Sequence, residues 1–146
     1  LAKPQFLFDG DVSEILINLI KVPEMSNRLL IVDDAMIMRL RIREIAIQAG
    51  WEVVGEAVNG TQAVAMFRSL KPDLVTMDIV MPTMDGVEAL RTIRQEDSSA
   101  RVCMVSAVNQ REKLSECIRL GAIDFIVKPF EKSQLISLFE KQGCVQ

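Results

Sequence analysis

The chain has 146 residues, of which 49% are apolar, with 17 basic and 20 acidic residues and a net charge of −3. This length suits one domain with a real core, and the absence of a basic block leaves no electrostatic footprint for DNA or RNA. No apolar run is long enough to cross a bilayer, and there is no histidine, which excludes an internal imidazole as nucleophile, base or metal ligand.

Residues 1–24 stand apart as an extension, because Met25-Ser26-Asn27 reads as a natural beginning for a domain spanning 25–146. Asp11-Val12-Ser13-Glu14 has capping-box spacing with Asp as N-cap. Val12, Ile15, Leu16, Leu19 and Ile20 then share one face of an amphipathic helix that Pro23 ends. Four readings of this helix stand open: packed on its own domain, frayed in solution, in a dimer or partner contact, or part of a neighbouring protein joined to the domain. Asp9, Asp11 and Glu14 come too early for a secretory signal.

From Leu29 onward short apolar runs alternate with amphipathic ones. Strands are predicted at 29–33, 52–57, 73–78, 101–105 and 123–127, and their lack of alternation suits parallel strands covered on both faces. Helices are predicted at 35–49, 60–70, 85–96, 109–120 and 131–141. Gly50 and Gly121 read as helix stops, Asn59-Gly60 turns into the second helix, and Pro72 and Pro129 end the elements before them. Five β-then-α units predict a doubly wound, flavodoxin-like α/β fold: a five-stranded parallel sheet in the order 2-1-3-4-5, with the N-terminal helix added.

Ligands of such sheets sit beyond the carboxyl ends of the strands, at the switch point between strands 1 and 3. Strand 1 runs into Asp33 and Asp34, strand 3 into Asp78, strand 4 into Ser106 and strand 5 into Lys128. Strand 2 ends in Glu56-Ala57-Val58 and adds no comparable set. Three facing carboxylates about 6 Å apart would repel pairwise by roughly 3 kcal/mol at an effective dielectric near 20. They therefore need a counter-charge, and all-oxygen ligation favours Mg2+, with Mn2+ as a substitute. Asp78 would be the nucleophile that forms an acyl phosphate, Lys128 would bind the phosphoryl oxygens, and Ser106 would donate a hydrogen bond to one. Each residue alone has an ordinary explanation: Asp33-Asp34 and Ser106 as helix caps, Asp78 as a turn residue, Lys128 as a solvated lysine. One shared site explains all of them together. The methionines read as adaptable packing. Cys103, Cys117 and Cys144 form no CxxC spacing, and a reducing cytoplasm fits them.

Residues 29–34 (LLIVDD), 77–86 (MDIVMPTMDG), 105–107 (VSA) and 128–130 (KPF) together resemble the receiver domain of two-component response regulators, over roughly residues 27–142. The wording around Asp78, Ser106 and Lys128 is similar to chemotaxis-type, CheY-like receivers. The resemblance implies that Asp78 accepts phosphate from a histidine kinase or phosphotransfer protein. It further implies Mg2+ contacts from Asp34, Asp78 and the Val80 carbonyl, with Asp33 assisting. Ser106 matches the switch hydroxyl, Phe125 the aromatic that follows it, Lys128 the family lysine, and the Ala107 backbone a phosphoryl contact. The Lys128–Pro129 bond is expected to be cis. The chain runs about one helix past Phe130, so no output domain is expected, and output would use the face of the fourth helix, fifth strand and fifth helix. Val80 and Val108 replace polar residues seen in the family, and a slowly decaying phosphorylated state is expected. Two other functions compete: a Mg2+-dependent aspartyl-phosphate hydrolase or phosphotransferase, and a binding-only module. The first usually carries an acid two residues after the nucleophile, where this chain has Val80.

Overall fold

The computed structural model describes residues 27–107 and 109–143. The predicted extension helix, Val108 and Cys144 lie outside the described residues. In chain order the elements are β1 (Arg28–Val32), α1 (Met36–Gln48), β2 (Glu52–Ala57), α2 (Gly60–Leu70), β3 (Leu74–Met77), α3 (Gly86–Glu96), β4 (Val102–Ala107), α4 (Arg111–Arg119), β5 (Asp124–Lys128) and α5 (Lys132–Gln142). All strand pairs are parallel, and the order is β2-β1-β3-β4-β5.

The run-like strand sequences follow from burial on both faces. Leu30, Val32, Val75 and Met77 point towards α2, α3 and α4, where they meet Ala63, Phe67, Leu90, Ile93 and Cys117. Leu29, Ile31, Leu74, Cys103 and Val105 point to the other face, against Ile42 and Ile45 of α1 and Leu135 and Phe139 of α5. Trp51 ties the far end together, its ring nitrogen donating to the Phe139 carbonyl at 3.1 Å. Burial pushes the Cys103 thiol up to about 12 and the Cys117 thiol up to about 11, which leaves both unreactive.

Local chemistry sets the element ends. Asn59 and Asp85 cap α2 and α3 by accepting from the Gln62 and Glu88 amides. Glu131 and Gln134 form a reciprocal capping box on α5. Gly50 and Gly121 take φ values of +90° and +102° where α1 and α4 stop. Two differences from the sequence reading matter for the site. Ser106 and Lys128 are not beyond the strand ends but within the last rungs of the β4–β5 ladder, pairing with Val127 and Ala107. The ladder continues because each strand finds a partner, which apolar content alone does not report. Met36, expected to pack, is exposed on α1.

Candidate functional site

The loops after β1 and β3 put three carboxylates together. One oxygen each from Asp33, Asp34 and Asp78 lies within 4.8 Å of the others. Asp33 is 1% exposed and Asp78 is 8% exposed, whereas Asp34 faces solvent. Backbone hydrogen bonds fix the first two in place: the Asp33 amide donates to Ala57 and the Asp78 amide to Val32. The capping explanation for Asp33-Asp34 does not hold, because Ala35 occupies the N-cap of α1 without a side-chain cap bond. Asp33 Oδ1 instead accepts from the Ala35 amide at 2.9 Å.

Lys128 closes the cluster from β5. Its ammonium donates to Asp33 Oδ2 at 2.8 Å and sits 3.5 Å from Asp78 Oδ2. One cation against three acids leaves the site electrically short, and the Asp78 carboxyl shows it, raised to about 6. Burial is the largest cause and the Asp33 charge the next, while Lys128 and the Ile79 amide pull in the opposite direction. Ser106 is fully buried, and its hydroxyl has no partner among the described residues. A buried hydroxyl without a partner costs stability. Ser106 does not cap α4, whose N-cap is Gln110. Val80 and Phe125 are 51% and 44% exposed. Ala107 is also exposed, at the end of β4, and the Lys128–Pro129 bond is cis.

Several supporting residues escaped the sequence reading. Gly60 and Gly86 each open a helix directly after its cap and press against the loop that follows β3. A Cβ on Gly86 would lie 1.9 Å from the Asp78 carbonyl oxygen, and one on Gly60 would lie 2.6 Å from that of Met84. Their amides donate to Ile79 and Met84 at 2.7 and 2.8 Å. Behind the acids, Arg39 donates to the Asp33 carbonyl and is itself held by Glu56, which also pairs with Arg43. Glu56, at the end of the outer strand β2, therefore supports the cluster without joining it. A glycine straight after an Asn or Asp cap was the one signal available in the sequence.

The acid set fits a divalent ion. Three hard oxygens within 4.8 Å approach the span of about 4.2 Å between opposite ligands of one Mg2+, and they carry the excess charge it would offset. The model of the response regulator receiver domain family matches residues 29–140. The chain is 50% identical over 117 residues to the chemotaxis protein CheY of Bacillus subtilis, covering 80% of this chain and 98% of that one. To CheY of Thermotoga maritima it is 47% identical, with the same coverage. Among solved structures it is similar to the CheX–CheY–BeF3–Mg2+ complex from Borrelia burgdorferi (TM-score 0.72, 34% identity, 75% of this chain and 84% of that). It is also similar to the response regulator domain of Thermotoga maritima CheB (TM-score 0.71, 39% identity, 80% and 93%). The fold, the order of its strands and the acids gathered at its switch point agree with these likenesses: the chain belongs to the response regulator receiver domain family, as a CheY-like member.

Proposed function

We propose that Asp78 is the phosphoacceptor, taking a phosphoryl group from a phosphohistidine of a partner kinase or phosphotransfer protein. The observation that carries this reading is the convergence of Asp33, Asp34 and Asp78 beside the Lys128 ammonium. The 146 residues contain no histidine, so a phosphohistidine donor lies outside them. Asp78 Oδ attacks phosphorus, the O–P bond forms, the donor P–N bond breaks, and its electron pair stays on the imidazole.

Asp33, Asp34, Asp78 and the Val80 carbonyl are the groups that would hold Mg2+, with Mn2+ as a substitute. When bound, the ion supplies positive charge to the phosphoryl oxygens. Lys128 supplies the second positive charge and is already positioned by Asp33. The Ala107 amide and the Ser106 hydroxyl are assigned to the remaining phosphoryl oxygens. Ser106 satisfies its buried hydroxyl by moving to the phosphoryl group, and Phe125 turns inward from its half-exposed position. The face of α4, β5 and α5 then changes shape for a downstream protein. No helix among the described residues is long and apolar enough to cross a membrane, and we assign the protein to the cytoplasm. The hydrolase reading gains no support, because apolar Val80 stands where the proton-transfer acid would be needed.

Incubation with acetyl phosphate and Mg2+ followed by intact-mass measurement tests the proposal. One phosphate should add to the parent chain and none to Asp78→Asn. An unmodified parent that still binds Mg2+ would reject it in favour of a binding-only module.

A further inference from the structure

The edge strand β2 carries an irregularity that bears on the acid cluster. Leu29 pairs with Val53 but Leu30 with Gly55, so Val54 is an extra residue and the strand bulges there. One extra residue turns the later side chains over to the opposite faces of the sheet. Val53, before the bulge, packs in the core on the side of α1 and α5. After it, Gly55 and Ala57 face the other side: a Cβ on Gly55 would lie 2.8 Å from Leu70, and Ala57 joins the core there. Glu56, between them, is thereby carried onto the α1 face. In an unbroken strand it would point towards α2 and its apolar core.

On α1 two arginines one turn apart meet it. Arg39 Nε donates to Glu56 Oε1 at 3.0 Å, and Arg43 Nη1 donates to Oε2 at 2.6 Å. A carboxylate held at both oxygens is fixed in orientation, and it fixes in turn the Arg39 side chain, which is 13% exposed. Arg39 Nη1 then donates to the Asp33 carbonyl at 2.8 Å. The other polar groups of Asp33 are engaged as well. Its amide donates to Ala57, Oδ1 accepts from the Ala35 amide, and Oδ2 accepts from Lys128.

We propose that Glu56 and Arg39 are positioning residues for the divalent-cation site, setting its affinity through the main chain of Asp33. The inference rests on the reading of the acid cluster as a Mg2+ site. A cation competes with Ala35 and Lys128 for the carboxylate oxygens of Asp33, whereas the Arg39 bond acts on the carbonyl and is untouched by it. Charge alone predicts the opposite sign for Arg39. Its guanidinium is a cation bonded to a residue of a cation site, so Coulomb repulsion would make its removal strengthen Mg2+ binding. Positioning makes its removal weaken binding, because the outer partners of metal-holding residues are worth about 10–100-fold in affinity. The bulge that delivers Glu56, the two-oxygen clamp on its carboxylate and the burial of Arg39 favour positioning.

Calorimetric titration of Mg2+ into the metal-free 146-residue chain, at neutral pH and without phosphodonor, tests this. Arg39→Met should raise the Kd at least about tenfold, and Glu56→Gln should raise it by a similar factor. The two together should cost little more than either alone, since both act through one contact. Arg43→Met removes an equal charge from the same carboxylate but no bond to Asp33, and should bind Mg2+ at least as tightly as the parent. Arg39→Lys keeps the charge but cannot bridge Glu56 and Asp33 as a guanidinium does. It should also bind more weakly, and it replaces the Met variant if circular dichroism shows that one unfolded. A folded Arg39 variant that binds Mg2+ as tightly as the parent, or more tightly, overturns the inference and leaves the metal site standing. Equal weakening in Arg43→Met and Arg39→Met overturns it too. A parent that binds no Mg2+ overturns both the inference and the metal reading.

Discussion

Replacing Asp78 with Asn should stabilise the metal-free protein at neutral and alkaline pH while leaving its stability in acid unchanged. The Asp78 carboxyl is raised from 3.8 to about 6, by burial first and by the Asp33 charge second. A rise of about two units corresponds to about 3 kcal/mol. A carboxyl that holds its proton more tightly when folded leaves stability intact below about pH 4 and lowers it as pH rises through about 6. Asn has no charge to lose or gain, and its side-chain oxygen can still accept from the Ile79 amide. The attraction of Lys128 for the charged carboxylate is already contained in that net shift, so the expected gain at pH 8 is about 3 kcal/mol. Urea unfolding in EDTA at pH 4 and pH 8 measures both values. Adding millimolar Mg2+ at pH 8 should then stabilise the parent more than the variant, because the ion relieves a repulsion that the variant lacks. A variant less stable than the parent at pH 8, or a difference of the same size at both pH values, would refute the reasoning.

Thr76 carries a second buried hydroxyl without a partner among the described residues, within β3 and two residues before Asp78. Thr76→Val should therefore raise stability by about 1 kcal/mol in the same urea assay. Thr83, exposed in the loop before α3, takes a φ of 69°, a conformation disfavoured for a β-branched residue. Thr83→Gly should gain about 0.5–1 kcal/mol once the greater freedom of unfolded glycine is subtracted. Exposed Val80 gives no hydrogen bond to a hydrolytic water, so phosphorylated Val80→Asn should lose its phosphate faster than the parent. An unchanged lifetime, followed by intact mass over time, would set that idea aside.

The fold and most of the site could be read from the chain alone. A parallel strand buried on both faces writes its burial into an unbroken apolar run, as in residues 29–32. A helix writes its own into spacing, so the five units and their order followed from local pattern and the rules of chain connection. Asp33, Asp34, Asp78 and Lys128 were legible because the switch point of such a sheet is a geometric consequence of its topology, and any polar residue ending those strands must converge there. Only the tertiary structure decided how they are held. The approach of Gly86 to the Asp78 carbonyl, the chain from Glu56 through Arg39 to Asp33, and the unpartnered hydroxyls of Ser106 and Thr76 all depend on distances between segments far apart in sequence. Such distances are set by how helices and loops pack against the sheet, and packing leaves no periodic trace in the residues that experience it.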